Sequence, residues 1–214
     1  YKRQVNEAVS AAKQAFQDAS ALSLEQKKTI LQEIIDGMDE RREEFAQVIS
    51  EEMGSPIKVA RGAQFSSGKV HFVNTLKVID DFSFSEVHDN ITLNKLPIGP
   101  VGMITPWNWP LNQMCTKIAS AIAAGTSFVL KPSEITPGAA QLFAEVADKS
   151  SMPKGMFNLI HGYGATVGKA MSQHIDLEMI SFTGSTRAGI DIQKTAADTI
   201  KRVSLELGGK SPNI

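Results

Sequence analysis

The sequence predicts an α/β fold: a parallel sheet with helices on both faces, preceded by a run of helices and a hairpin. Three observations predict it. Short apolar runs alternate with helical stretches after Pro97, helical spacing fills the chain before Ile79, and a two-strand pattern stands between them.

From Gln4 to Phe16 the residues Val5, Ala8, Val9, Ala12 and Phe16 recur at helical spacing, with Lys and Gln between them. A second helix starts at Ser23, whose hydroxyl caps while Gln26 takes the capping-box position, and it carries Ile30, Leu31, Ile34 and Ile35 on one face. Asp39 to Met53 continues the pattern with Phe45, Val48 and Ile49. Gly54 fits a helix C-terminal cap, and Ser55-Pro56 restarts a helix towards Ile79, Ser as N-cap and Pro in the first turn.

Near Asp81 the spacing changes to alternation, in Phe82-Ser83-Phe84 and in Ile91-Thr92-Leu93, with Asp89-Asn90 as the turn. This predicts a hairpin over 82–96. A two-stranded ribbon is marginal alone, so it is expected to add to another sheet.

Beyond Pro97 the order is strand then helix. Val101 to Ile104 precedes Leu111 to Ala124, and Phe128 to Leu130 precedes Pro137 to Ala147. Phe157 to Ile160 precedes Gly164 to Met171, Met179 to Phe182 precedes Ser185 to Ala196, and Arg202 to Leu207 is a last strand. Single helices between strands mean right-handed crossovers and a parallel sheet covered on both faces.

The balance of the 214 residues excludes several function classes. With 42% hydrophobic and 21% charged residues the chain reads as globular, not disordered or repetitive. With 22 Lys+Arg against 23 Asp+Glu the net charge is -1, so nothing marks a polyanion-binding surface and no nucleic-acid partner is expected. No apolar run approaches the roughly 18 to 20 residues that span a bilayer, so no membrane is expected. Cys115 is the single cysteine, which excludes an intrachain disulfide and suits a reducing, cytoplasmic compartment. His71, His88, His161 and His174 have no metal-ligand spacing, and no metal is expected.

In such a sheet ligands gather where the strands end. Gly184 and Ser185 open a helix after a strand and offer backbone N–H groups to an anion, while Gly189 allows close packing one turn later. The segment lacks the end of a Walker A loop, and Gly162-Tyr163-Gly164 lacks the full dinucleotide fingerprint. Lys131 and Glu134 flank a proline after a strand, where an ammonium and a carboxylate suit two ribose hydroxyls. An acid there favours a free 2'-hydroxyl, hence NAD over NADP. Asn108, between tryptophans and prolines, is an amide fit to polarise a carbonyl oxygen. Glu206 ends a strand whose Val203, Leu205 and Leu207 point one way while Ser204 and Glu206 point the other. In a partly dry cleft it would have the raised pKa of a general base. Cys115 shares a helix face with Leu111, Ile118, Ala119 and Ile122, and is expected to be an inert buried thiol.

Pro106-Trp107-Asn108-Trp109-Pro110, Lys131-Pro132-Ser133-Glu134, Phe182-Thr183-Gly184-Ser185-Thr186 and Glu206-Leu207-Gly208-Gly209-Lys210-Ser211-Pro212 occur in one chain in this order. With Glu52-Met53-Gly54-Ser55-Pro56 ahead of them, the chain resembles the NAD(P)-dependent aldehyde dehydrogenase superfamily over essentially its whole length. The resemblance implies a Rossmann-type NAD-binding domain over 1–214 in which Ile104, Pro106, Trp107, Lys131, Glu134, Gly164, Gly184, Ser185 and Leu207 meet NAD. It implies that Asn108 holds the oxyanion and that Glu206 is the general base. In that family a cysteine thiolate attacks the aldehyde, hydride passes to the nicotinamide, and water cleaves the thioester.

The family's nucleophilic cysteine falls beyond Ile214, in a catalytic domain the 214 residues do not include. The chain begins at Tyr1 and stops in mid-motif, so both ends read as cuts, and the fragment alone is expected to be inactive. The alternative is a truncated, non-catalytic NAD-binding or oligomer-interaction module. The resemblance makes Trp109, Asn112, Gln113 and Thr116 the wall of a substrate tunnel, and a small or polar aldehyde is expected. An acid at Glu206 favours hydrolysis over transfer to CoA. The 82–96 hairpin resembles part of the family's oligomerisation element, so a homo-oligomer, dimer or tetramer, is expected.

Overall fold

The computed structural model describes residues 1–210. A five-stranded parallel sheet is ordered β5-β4-β3-β6-β7, from β3 (Val101–Ile104), β4 (Phe128–Lys131), β5 (Phe157–Leu159), β6 (Met179–Gly184) and β7 (Arg202–Leu207). The order reverses direction between β3 and β6, and such a switch point opens a crevice beyond the carboxyl ends of the strands.

The N-terminal helices divide between the two faces. α1 (Lys2–Ser20) sends Val5, Val9 and Ala12 onto one face, beside Val129, Met171, Ile180 and Ile192. α2 (Leu24–Glu40) and α3 (Arg42–Met53) join the other core with Ile34, Phe45, Phe128 and Leu130. α6 (Pro110–Ala124) and α7 (Gly138–Asp148) pack on this second face, whereas α8 (Lys169–Gln173) and α9 (Thr186–Ala197) belong to the first.

Local signals set most of the boundaries. Ser23 accepts a hydrogen bond from the Gln26 amide at 3.2 Å while Gln26 Oε1 accepts from the Ser23 amide at 2.8 Å, a complete capping box. Gly54 closes α3 at φ 75, a left-handed conformation open to glycine at little cost. The expected Ser55 cap does not form: Pro56 is the N-cap and the helix starts at Ile57. The physical reason is backbone pairing, since the Pro56 carbonyl accepts from Val59 and Ala60 at 2.8 and 3.0 Å and the Ser55 carbonyl accepts from Ser50 Oγ. α4 (Ile57–Val59) then runs through a π turn (Ala60–Gln64) into α5 (Phe65–Val78).

The hairpin pairs β1 (Ser85–His88) with β2 (Ile91–Asn94) in antiparallel register around Asp89-Asn90. Its strands start later than the alternation of Phe82-Ser83-Phe84 suggests. The two rings instead pack edge to face 4.8 Å apart, with Lys27 over Phe84 and Lys95 over Phe82. Among the described residues the hairpin joins no other sheet. No helix there is long and apolar enough to cross a membrane.

Candidate functional site

The parallel register brings the chemistry-bearing segments to one sheet edge. Ile104 lies beside Lys131 on one side and Phe182 on the other, and Glu206 pairs with Thr183. The loops carrying Asn108, Glu134, Gly164 and Ser185 therefore leave the sheet side by side. Ser211 and Pro212 of the last motif lie outside the described residues.

Lys131 is buried, with its ammonium on the Pro132 carbonyl at 2.8 Å and on Glu134 Oε2 at 3.0 Å. Burial raises the Glu134 carboxyl, but its own backbone N–H, Lys131 and the Gly164 N–H together hold it below the usual carboxylate range. Lys131, Glu134 and Gly164 thus form one polar cluster. Glu52 steadies the start of α7 behind it, accepting from the Gly138 amide through Oε1 at 3.0 Å and Oε2 at 2.9 Å.

From Gly164 a cavity of about 610 Å³ opens between the turn at Gly164–Gly168 and α9, with Ile104, Phe182 and Ala188 in its lining. α9 starts above it at Ser185, the N-cap, whose hydroxyl accepts from the Ala188 amide at 3.3 Å. Gly189 packs α9 against β7 so closely that an added Cβ would meet Leu207 Cδ2 at 2.5 Å. Of the expected cofactor residues, Ile104 and Gly164 line the cavity, and Lys131 and Glu134 adjoin it through Gly164. Gly184 and Ser185 stand at the start of α9. Pro106 and the exposed Trp107 belong to the loop after β3, and Leu207 supports α9.

The other face carries a second group. Asn108 is exposed, just before the Pro110 that starts α6, and its amide has no partner among the described residues. Glu206 is exposed as well, so the described residues do not form the partly dry cleft expected around it. The cause is its position on β7, where α6 does not reach across to cover it. Among the described residues no hydrogen bond joins Asn108 and Glu206, and β6 stands between β7, which carries Glu206, and β3, which leads to Asn108.

Two residues not singled out in the sequence join this group. Lys117 donates to Ser181 Oγ at 2.9 Å; burial pushes its ammonium down to about 8, and the Glu206 charge pulls it back up. It is the only charged residue in α6, which was the available signal. Thr183, two residues beyond Ser181 on the same side of β6, has a hydroxyl shut off from solvent with no partner among the described residues.

On α6 the expected tunnel residues Trp109, Asn112, Gln113 and Thr116 share one side, the last three half-buried. The Asn112 amide is engaged: it donates to the Ser67 carbonyl and to His71 Nε2, both at 3.2 Å, tying α6 to α5. Burial lowers the His71 pKa, which favours the neutral ring, and the Asn112 amide then selects the tautomer whose Nε2 accepts. Cys115 is fully buried with its thiol pushed well above the usual range, as an inert core thiol should be.

Two groups therefore flank the sheet edge: a cavity under α9 on one face, and Asn108, Lys117, Thr183 and Glu206 on the other. Gly184 and Ser185 lie at the crossing. The model of the aldehyde dehydrogenase family matches residues 1–214. The 3-succinoylsemialdehyde-pyridine dehydrogenase of a Pseudomonas species is 44% identical over 211 residues, 98% of this chain and 44% of that protein. An aldehyde dehydrogenase from Bartonella henselae superposes with a TM-score of 0.96 at 48% identity, covering 99% of this chain and 45% of that one. The C291A mutant of aldehyde dehydrogenase C from Pseudomonas syringae, solved with NAD+ and octanal, gives 0.97 at 45% identity, covering 99% and 44%. The chain spans less than half the length of these relatives.

Proposed function

The chain belongs to the aldehyde dehydrogenase family, and from that premise we propose that it is the cofactor-holding part of an enzyme that oxidises an aldehyde to a carboxylic acid with NAD. The observation that carries the reading is the path over the sheet edge, from an open cavity that meets the Lys131–Glu134 cluster at Gly164 to the amide of Asn108 and the carboxylate of Glu206. A dinucleotide has that two-ended shape, and the unpartnered Thr183 hydroxyl lies along its route.

When bound, NAD would accept the hydride. Lys131 and Glu134 hold the two hydroxyls of a ribose, and the Glu134 carboxylate disfavours a 2'-phosphate. Backbone N–H groups at Gly184 and Ser185 face the pyrophosphate. Asn108 donates to the carbonyl oxygen as negative charge grows there. Glu206 takes a proton from the attacking thiol or from the water that completes the hydrolysis. Lys117, whose ammonium burial pushes down to about 8, sits near the same carboxylate.

Covalent chemistry requires a reactive thiol, and Cys115 is excluded by its burial. The reading assigns the nucleophile to a segment beyond residue 214. It also assigns a small or polar aldehyde, supported by the half-buried Gln113 and Thr116, and hydrolysis over CoA transfer, supported by Glu206. The open hairpin supports a homo-oligomer, and the single buried cysteine suits the cytoplasm.

Calorimetric titration with NAD and NADP tests the cofactor reading. Saturable binding of NAD, with Glu134→Ala narrowing the preference over NADP, is the expected result. A protein that binds neither dinucleotide refutes it. For the substrate, kcat/KM of the catalytically complete enzyme should be higher for short polar aldehydes than for octanal, and the reverse order rejects that assignment.

A further inference from the structure

The first turn of α6 follows directly on Asn108, so an aldehyde whose oxygen meets the Asn108 amide would lie alongside that turn. Leu111 and Met114 are buried there, which leaves Asn112 and Gln113 as the half-buried residues on its open side. α5 sets what Asn112 can offer. Gly68 brings the two helices close, since an added Cβ would meet Leu111 Cγ at 2.5 Å, and the Asn112 amide nitrogen reaches both the Ser67 carbonyl and His71 Nε2 at 3.2 Å.

A carbonyl oxygen only accepts, so the atom facing Ser67 is the amide nitrogen and not the amide oxygen. The nitrogen carries two hydrogens, and two acceptors on α5 take both. Burial favours the neutral His71 ring, which supplies the second acceptor. Oδ1 has no partner among the described residues. The side-chain oxygens there that are both unpartnered and shut off from solvent are those of Gln64 and Thr183, so the Asn112 oxygen is open. Turning the amide over would set its oxygen against the Ser67 carbonyl, two acceptors with no proton between them. Asn112 is thus held as an acceptor.

Resting on the aldehyde-oxidation reading above, we infer that Ser67 and His71 hold Asn112 with its carbonyl oxygen toward the substrate, so that the enzyme selects a short aldehyde bearing a hydrogen-bond donor, a hydroxyl or an amino group, over one whose further polar group only accepts. Asn112 is the specificity-determining residue, and His71, which acts through it, is a positioning residue. An ether oxygen in the donor's place would face Oδ1 with no proton to share, and a methyl group would leave Oδ1 unpaired.

Three aldehydes of equal heavy-atom count make the test: 3-hydroxypropanal carries a donor, methoxyacetaldehyde a further acceptor only, and butanal neither. In steady-state kinetics with NAD, the catalytically complete enzyme should show kcat/KM about tenfold higher for 3-hydroxypropanal than for either of the others, mostly through KM, as one well-formed hydrogen bond gives. Asn112→Leu should bring the ratio close to one. His71→Leu should narrow it, because one N–H is freed, and His71→Gln, which restores an acceptor, should recover it. Equal changes for all three aldehydes in His71→Leu would make His71 merely structural and overturn its role. Equal use of 3-hydroxypropanal and methoxyacetaldehyde by the unmodified enzyme, or an unchanged ratio in Asn112→Leu, overturns the inference while aldehyde oxidation stands. Those two measurements decide the matter even where His71→Leu fails to fold. No oxidation of any aldehyde with NAD overturns the reading on which the inference rests, and the inference with it.

Discussion

Asn108 and Glu206 are both exposed, so neither is held by the packing of the described residues. Asn108→Ala and Glu206→Gln in the catalytically complete enzyme should therefore lower kcat, the former about 100-fold, with NAD affinity unchanged by calorimetry. Unaltered turnover in both rejects their roles. Lys117 differs because its burial has a thermodynamic sign. With a folded pKa of about 8 against 10.5 for the free side chain, the unfolded chain binds more protons between those values, so stability rises as pH rises through that window. Lys117→Met should unfold at a higher temperature at pH 7 and lose the gain between pH 8 and 10.5, which thermal melts across that range would measure. Asn108 and Glu206 could be singled out as candidates because short motifs carry them. Lys117 was not, since its proximity to Glu206 depends on α6 lying against β6.

At the scale of elements, chain-local signals predicted most boundaries: the Ser23 capping box, the left-handed Gly54 and the close packing of Gly189 are all present. Ser23→Ala should cost about 1 kcal/mol of stability in denaturant titration. Predictions went astray where a side chain had a partner distant in sequence. Phe82 and Phe84 alternate as strand residues do, yet they pack edge to face, with Lys95 over the first ring and Lys27 over the second. Asn112 was read as a free polar wall, yet its donors are spent on Ser67 and His71. The tie between Glu52 and Gly138 crosses 86 positions and had no sequence signal. Glu52→Ala should leave the half-buried Gly138 amide without its partner and cost about 1 kcal/mol. Glu52→Gln, which keeps an acceptor, should cost much less, and equal losses in the two variants would show that the contact does not anchor α7.

For the whole molecule, the hairpin is the feature that the described residues leave incomplete. Glu86, His88, Ile91 and Leu93 share one side and Val87 the other, so apolar groups are exposed on both faces of a two-stranded sheet with open edges. If this is the oligomerisation element, Val87→Lys with Leu93→Lys should shift the protein to a smaller species by light scattering without changing NAD binding. An unchanged mass argues against it. By itself the sequence determined the α/β class, the order of strands and helices and the motifs at the strand ends, because periodicity, capping and turn chemistry act over a few residues. The tertiary structure alone decided that α1 and α2 cover opposite faces, that the cavity opens beneath α9 with Asp191 in its wall, and that Lys117 and Thr183 join Asn108 and Glu206. Those outcomes follow from strand order and helix packing, which bring together residues from distant parts of the chain, and no local pattern encodes which distant partner a buried face will meet.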